Sequence, residues 1–453
     1  MSQKPDSSAN DSIFRAYDIR GIYKETLDEP VMERIGNAFS GLADGDTVVL
    51  ARDGRLSGES LAQAFIRGLN SAGRNAEYLG VLPLGAGMFH AWKSGRTFAY
   101  VTASHLGKQW NGLKFFRGTG LGFMEDELRE VRKRFLSGSV HASGKGIILR
   151  TDREGVIESY ISHLHSLIKP ERKLTVVLDP GNGAAGVLAR RLFSGAGFRT
   201  VMVSEDVDGS FPSRSPDPVN DGLDEMKKNM EGCDLGIAYD GDGDRMVVVD
   251  ERGKKLTPEQ ISYIMLAELL KKSRGPIVAN VETTKTIDII AERFGRAVHR
   301  VRVGHNYLMK GAFEKRACFG MEPSGHYAVP SIFPFDDSLA ISYYFACVLS
   351  MKSGRLSDLA GKVPGLPFQR FNFDVPDNRK FLVMERLSHD MKSRYREIST
   401  LDGVRIDLGD GWVLIRPSNT QPRIRLTVEA ATAERLDAIR KEFSSVLEKY
   451  INP

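Results

Sequence analysis

The stretch TVVLARDGRLSGESLAQAFIRGLNSAG, Thr47 to Gly73, decides how the fold is read. A β-branched apolar run, TVVLARD, breaks at a Gly-containing turn. The amphipathic pattern SGESLAQAFIRGLNSAG follows and stops at Gly73, a helix-ending residue. One strand and one helix in that order make a βα unit. The same order recurs twice. LTVVLD (Leu174 to Asp179) leads through PGNGAAG into VLARRLFSGAG, and PIVANV (Pro276 to Val281) precedes TTKTIDIIAERFG. Such alternation predicts mostly parallel sheets covered by helices. Helical stretches at Val156–Ile168 and Pro258–Ser273 are read as joints between units. The last ~90 residues, at the scale of one small domain, change character. FLVMERLSHDMKS is helical, GVRIDLGD, GWVLIRPS and RIRLTVEA are closely spaced strands, and TAERLDAIRKEFSSVLEKY is a terminal helix. The expected class is α/β: three tandem α/β domains with mixed, mostly parallel sheets, plus a C-terminal α+β domain. The expected division is a disordered tail at 1–12, then domains at 13–150, 151–254, 255–366 and 367–453.

Composition narrows the class of function. The chain has 453 residues, 41% hydrophobic and 27% charged, with a net charge of +5. That charge is mild for a nucleic-acid binder and suits an anionic small substrate. The longest apolar run, Leu339 to Met351, is too short to span a bilayer. The polar start MSQKPDSSANDS lacks the order of a signal peptide. Cys233, Cys318 and Cys347 form no paired motif, which points to a reduced cytoplasmic setting.

Five motifs carry candidate chemistry. In VTASHLGKQWNGLKFF, Val101 to Phe116, Ser104 stands where a buried strand meets a polar loop; it is either a turn residue or a reacting one. LGIAYDGDGDRMVVVD alternates Asp240, Asp242 and Asp244 with Gly, so three hard oxygen ligands can converge. Magnesium, an EF-hand calcium loop and a solvated acidic turn are the open readings. Glu251 falls at the twelfth EF-hand position, but Arg245 occupies the sixth, where Gly is needed. Arg245 beside the aspartates fits a site where an anion also docks. RPSNTQPRIRL groups Arg416, Ser418, Asn419 and Thr420, with Arg423 and Arg425 on the next strand, as phosphate-type donors or a polar hairpin turn. MEPSGHY sets Glu322, Ser324 and His326 at alternate positions, suited to sugar hydroxyls. FRAYDIRGIY places Tyr17, Asp18 and Arg20 before a Gly turn. PGNGAAG lacks the dinucleotide-binding order and is read as a structural turn. His163 and His165 are expected on a helix surface.

These stretches in this order resemble the α-D-phosphohexomutase family, within it the phosphomannomutase/phosphoglucomutase type. The resemblance rests on FRAYDIRG, TASH with NGLK, DPGNGAAG, DGSFPSRSPDP, DGDGDR, EPSGH and RPSNTQP, and covers the chain from about residue 13 to its end. It implies four domains around a central cleft. It makes Ser104 a phosphoserine with His105 as loop neighbour, and Asp240, Asp242 and Asp244, with Ser104, the Mg²⁺ ligands. Lys114 and His326 match proton-transfer positions, and Arg20 and Arg245 match active-site positions. Tyr17, His105, Gly304, His305, Glu322 and Ser324 would contact substrate; Arg416, Ser418, Asn419, Thr420 and Arg425 would clamp the distal phosphate. The implied reaction interconverts hexose 1- and 6-phosphates, of mannose and/or glucose, with a hexose 1,6-bisphosphate as activator. YDIRG favours the hexose branch over the phosphoglucosamine branch. The implied protein is a cytoplasmic monomer or homodimer with a phosphosugar as its only partner, and no nucleic acid or membrane. Its rivals are a metal-dependent sugar phosphatase and a phosphosugar-binding protein with little turnover. The chain departs from the family at Leu106-Gly107, expected to loosen the Ser104 loop, at Leu84-Gly85, and at Met321.

Overall fold

A computed structural model describes residues 12–138, 144–418 and 422–452. The tail expected at 1–12 therefore lies outside the described residues except for Ser12. The first sheet holds β1 (Ile19–Ile22), β2 (Thr47–Arg52), β3 (Asn75–Val81), β4 (Phe98–Val101), β5 (Trp110–Phe116) and β6 (Ile148–Leu149), in the order β1-β5-β4-β2-β3-β6. β4, β2, β3 and β6 are parallel, while β5 opposes both its neighbours. β7 (Thr175–Asp179), β8 (Arg199–Met202), β9 (Leu235–Tyr239) and β10 (Met246–Asp250) form the second sheet, ordered β10-β9-β7-β8, with only β10 antiparallel. The third is β12-β11-β13-β14, from β11 (Ile277–Asn280), β12 (Val298–Val301), β13 (Phe319–Met321) and β14 (Tyr327–Ala328), again with one antiparallel edge. The fourth is wholly antiparallel, β15-β19-β18-β17-β16, from β15 (Phe368–Asp374), β16 (Ile398–Ser399), β17 (Val404–Asp407), β18 (Gly411–Pro417) and β19 (Arg423–Ala430). Three mixed, mostly parallel sheets and a C-terminal antiparallel one were expected. β15 was not, because FQRFNFD is an edge strand with no buried residue.

Strand periodicity explains the packing. Val48 and Leu50 of β2 enter one apolar cluster, Val49 and Ala51 the other, so both faces of the sheet are covered. The second cluster continues without a break through Val176, Ile237, Ile277 and Phe319. The three α/β units thus share one core. The apolar run at Leu339–Met351 becomes the helix Ser338–Ser350, every residue of which is buried in that core. Among the described residues no helix is long and apolar enough to cross a membrane. His163 and His165 correct the surface expectation: both are half-buried, His163 stacked on Phe333 and His165 hydrogen-bonded through Nε2 to the Leu192 carbonyl at 2.8 Å.

The C-terminal sheet keeps its own core and docks on the third unit through a small apolar cluster of Val281, Trp412 and Leu414 and through polar contacts. Lys285 reaches Asp407 at 2.8 Å, its backbone N–H donates to Glu429 at 2.8 Å, and Arg405, stacked 3.8 Å over Trp412, donates to the Val281 carbonyl.

The departure at Leu84-Gly85 has a local cause. Asp337 caps the buried helix, accepting from the Ala340 N–H at 3.1 Å and the Tyr160 hydroxyl at 2.6 Å. A Cβ at position 85 would lie 2.1 Å from the Asp337 carboxyl carbon. Burial pushes the Asp337 carboxyl up to about 6. A carboxyl raised in the folded state stabilises fully below its unfolded value and loses that contribution as pH rises through the folded one. Asp337→Asn keeps a cap-competent side chain and removes the charge. The variant's melting temperature relative to wild type should therefore rise between about pH 4.5 and about pH 7.5. A pH-independent difference in parallel melts would contradict this.

Candidate active site

Ser104 follows β4 with a φ of +52°, a left-handed conformation unusual for serine. Its N–H donates to Thr102 Oγ1 at 2.7 Å, and the Thr102 hydroxyl donates to Asp53 Oδ2 at 2.7 Å. The loop is then held by one buried guanidinium. Arg55 pairs with Asp53 at 2.9 Å and donates to the carbonyls of Ser104, Leu106, Gly107 and Trp110 at 2.6–2.9 Å. The loosening expected from Leu106-Gly107 meets this anchor. Removing one partner from a buried pair of this kind costs about 3–5 kcal/mol.

The DGDGDR loop joins β9 to β10 directly beneath Ser104. Asp240 Oδ1 accepts the backbone N–H groups of Gly243, Asp244 and Arg245 at 3.0–3.1 Å, and Oδ2 accepts from Ser104 Oγ at 2.7 Å. Gly241 permits that approach, since a Cβ there would lie 2.6 Å from the Ser104 carbonyl oxygen. The three aspartates are fully buried and bring one oxygen each within 4.8 Å of the others. Burial, then Asp242 and Asp244, push Asp240 upward, so the cluster calls for positive charge. Asp242 Oδ1 and Asp244 Oδ1 have no hydrogen-bond partner among the described residues. Hard oxygen donors with unsatisfied lone pairs fit Mg²⁺. Glu251 is turned away to Ser357, whose N–H it accepts at 3.1 Å, which disposes of the EF-hand reading.

Lys114 on β5 spans the same cluster. Its ammonium donates to Asp242 Oδ2 at 2.9 Å and to Asp244 Oδ2. Burial opposes its charge, but the two aspartates outweigh burial and push its pKa up, so Lys114 is an ammonium. Beyond Asp244, His326 accepts from Arg245 Nε through Nε2 at 2.9 Å. Its neutral-state proton is thereby placed on Nδ1, 2.9 Å from Asp336 Oδ2. His305 Nδ1 shares that oxygen at 3.1 Å, and the two rings stack. Burial and Arg245 push His105 down to about 2, so it is neutral and weakly basic.

A cavity of about 370 Å³ opens over this floor, lined by Tyr17, Arg20, Ser104, His105, Lys114, Arg245, His305 and His326, with Arg15 at its side. Gly304 is adjacent. Its φ is +136°, and a Cβ there would sit 2.5 Å from the Tyr17 hydroxyl. Arg20 reaches Asp18 at 2.9 Å and the Thr102 carbonyl at 2.5 Å. Glu322 and Ser324, on the turn between β13 and β14, bond to each other; Glu322 also accepts from Asn280 at 3.2 Å and the Gly304 N–H at 3.4 Å. Met321 is buried in β13. Arg416, Ser418 and Arg425 belong to the hairpin of β18 and β19 and do not line this cavity. Asn419 and Thr420 lie outside the described residues. Asp53, Arg55, Asp336 and Glu282 were not anticipated; only DGR after β2 and DD before the buried helix hinted at them.

Known proteins match this architecture along nearly the whole chain. Residues 11–141, 158–253 and 257–365 match phosphoglucomutase/phosphomannomutase α/β/α domains I, II and III, and residues 371–446 match the C-terminal domain of the same family. A phosphomannomutase/phosphoglucomutase of Pseudomonas syringae pv. tomato is 34% identical, over 97% of this chain and 96% of its own length. A probable phosphoglucosamine mutase of Methanopyrus kandleri is 29% identical, over 96% and 97%. The crystal structure of a phosphoglucomutase/phosphomannomutase family protein from Burkholderia thailandensis superposes with a TM-score of 0.89 at 31% identity, covering 97% of this chain and 98% of that one. The chain therefore belongs to the phosphoglucomutase/phosphomannomutase family of the α-D-phosphohexomutase superfamily, and its activity is that of an intramolecular phosphotransferase acting on phosphosugars.

Proposed function

We propose that this mutase interconverts hexose 1-phosphate and hexose 6-phosphate, of mannose and/or glucose, through a phosphoserine at Ser104 and a bisphosphorylated sugar. One observation carries the reading: Ser104 Oγ lies 2.7 Å from Asp240 on the floor of a cavity whose lining includes Arg15, Arg20, Lys114, Arg245 and three histidines. The serine–phosphorus bond breaks as a bond forms from phosphorus to the free sugar hydroxyl, and the bisphosphate then turns round. Ser104 Oγ next takes the phosphoryl group from the opposite end. Positioning and charge stabilisation dominate such a transfer. Asp240, Asp242 and Asp244 would hold a divalent cation, which would supply neutralising charge to the transferring phosphoryl group. Arg20 and Arg245 orient those oxygens. The hydroxyl's proton needs a base. His326 fits by position: it lines the cavity, its Nδ1 faces Asp336, and its Nε2 takes the hydroxyl proton in exchange for the hydrogen bond from Arg245, whereas His105, pushed down to about 2, is too weak. Lys114, as an ammonium, gives a proton to the departing serine oxygen. Tyr17, Gly304, His305, Glu322 and Ser324 hold the sugar. Arg416, Ser418, Asn419, Thr420 and Arg425 hold the phosphate that is not reacting, in either orientation. A hexose 1,6-bisphosphate primes Ser104.

Relatives named for glucosamine phosphate require a substrate panel. Purified protein with Mg²⁺ and a trace of the matching bisphosphate should turn over mannose 1-phosphate or glucose 1-phosphate with a higher kcat/KM than glucosamine 1-phosphate. Release of inorganic phosphate without isomer would favour a phosphatase. Tight binding without turnover at any bisphosphate concentration would favour a binding protein.

A further inference from the structure

The hairpin that carries the phosphate-type donors is already engaged by an anion from another part of the chain. Arg416 on β18 stands directly opposite Arg425 on β19. The Arg416 side chain is 3% exposed, and its Nη1 donates to Glu282 Oε1 at 2.9 Å. Arg370 on β15 donates to the other oxygen, Glu282 Oε2, at 3.1 Å. One carboxylate therefore gives an oxygen to each of two guanidinium groups, which is how arginine pairs receive an oxyanion. Glu282 comes from the segment after β11, on the third sheet, and its N–H donates to Asn280 Oδ1 at 2.9 Å. Burial opposes its charge, but Arg416 and Arg370 outweigh burial and keep it ionised. Arg416 Nε and Arg425 Nε are buried with no hydrogen-bond partner among the described residues, so the cluster retains donor capacity for a further anion.

The C-terminal sheet also docks on the third unit through contacts other than those of Glu282, among them the apolar cluster of Val281, Trp412 and Leu414. Lys285 with Asp407 and Glu429, and Arg405 with the Val281 and Thr283 carbonyls, lie outside the arginine cluster. Glu282 adds its own two ion pairs to that seam, and both are spent on the clamp arginines.

We infer that Glu282 is an internal counter-anion of the distal phosphate clamp: it holds Arg416 and Arg370 when no phosphate is bound and competes with the phosphate for them. The inference rests on Arg416 being a distal phosphate ligand, as proposed above. Competition has a use in this reaction. A bisphosphate must let go of the clamp to turn round, and a clamp that binds too tightly holds it in one orientation. Glu282 recaptures Arg416 as the phosphate leaves, which makes the clamp reversible. It is a positioning and specificity residue, and touches no reacting atom.

The test is calorimetric binding of inorganic phosphate to wild type, Glu282→Gln, Glu282→Asp and Arg416→Ala, with circular dichroism to establish folding. Glu282→Gln should tighten phosphate binding about tenfold or more, the scale of one hydrogen bond to a charged group. Glu282→Asp, whose charge is withdrawn by one methylene, should shift it less in the same direction and carries the test if the Gln variant does not fold. In turnover, Glu282→Gln should lower the KM for hexose 1-phosphate and lower or preserve kcat, because release becomes harder. Arg416→Ala should weaken phosphate binding and raise KM. Phosphate affinity that is unchanged or weaker in both Glu282 variants would overturn the inference and leave Glu282 as a scaffold for Arg416. Unchanged phosphate affinity in Arg416→Ala would instead overturn the clamp assignment beneath it.

Discussion

Replacing Ser104 with alanine should reduce mutase turnover by on the order of 10⁴-fold or more, the scale seen when a covalent group carrier is removed. The fold should survive. Alanine tolerates the φ of +52° no worse than serine, and the conformation is imposed by Arg55 and Thr102 rather than by the serine hydroxyl. What is lost is the Oγ bond to Asp240, leaving one carboxylate oxygen unpaired beside two other buried aspartates. Far-UV circular dichroism and a melting temperature within a few degrees of wild type would separate loss of chemistry from loss of structure. Substantial activity in a folded Ser104→Ala protein would reduce Ser104 to an ordinary turn residue.

Asp242→Asn should be the next most damaging change. Asp242 brings one oxygen to Lys114 and leaves the other without a partner, facing a cluster where burial already raises Asp240. Losing one of three carboxylates removes both a hard ligand and a charge. We expect kcat/KM to fall by roughly 10²–10³-fold at fixed Mg²⁺, the scale of losing one electrostatic contributor to a transition state. Half-saturation by Mg²⁺ should rise more than about tenfold in a titration of activity, since one carboxylate ligand is worth at least that factor. Chelation with EDTA should abolish wild-type turnover and added Mg²⁺ should restore it. Full activity after chelation, in wild type and variant alike, would remove the metal from the mechanism.

How far these sites can be read from sequence differs by the range of the interaction. Asp240, Asp242 and Asp244 announce themselves because glycine separates carboxylates within one turn, so the contacts that matter are local. The alternation of apolar runs and amphipathic helices revealed the parallel sheets for the same reason. Arg55 is different. It looks like any loop arginine, and its role comes from four carbonyls about 50 residues downstream. Asp336 is marked locally only by the DD doublet, because its partners, His305 and His326, are brought to it by strand and helix packing. Glu282 sits in NVETTK with nothing to mark it, and only the docking of a separate sheet presents Arg416 and Arg370 to it. β15 was hard to read because no residue of this edge strand is fully buried: Phe371 and Phe373 are only partly covered by the C-terminal core, Phe368 only partly by the Val281, Trp412 and Leu414 cluster, and polar residues fill the rest of FQRFNFD. Lys114 was readable as a site residue but not as an ammonium, since its charge state depends on two aspartates from another sheet.

The central claim is that Ser104 carries the phosphoryl group between turnovers. Its most direct test is intact-mass and peptide-level mass spectrometry of the protein incubated with hexose 1,6-bisphosphate and Mg²⁺, then chased with excess hexose 1-phosphate. The account predicts a gain of about 80 Da, one phosphate, located on Ser104, transferred during the chase to a bisphosphorylated sugar, and absent in Ser104→Ala. A protein that turns over hexose phosphates yet never gains that mass, or that gains it on a residue other than Ser104, would contradict the account.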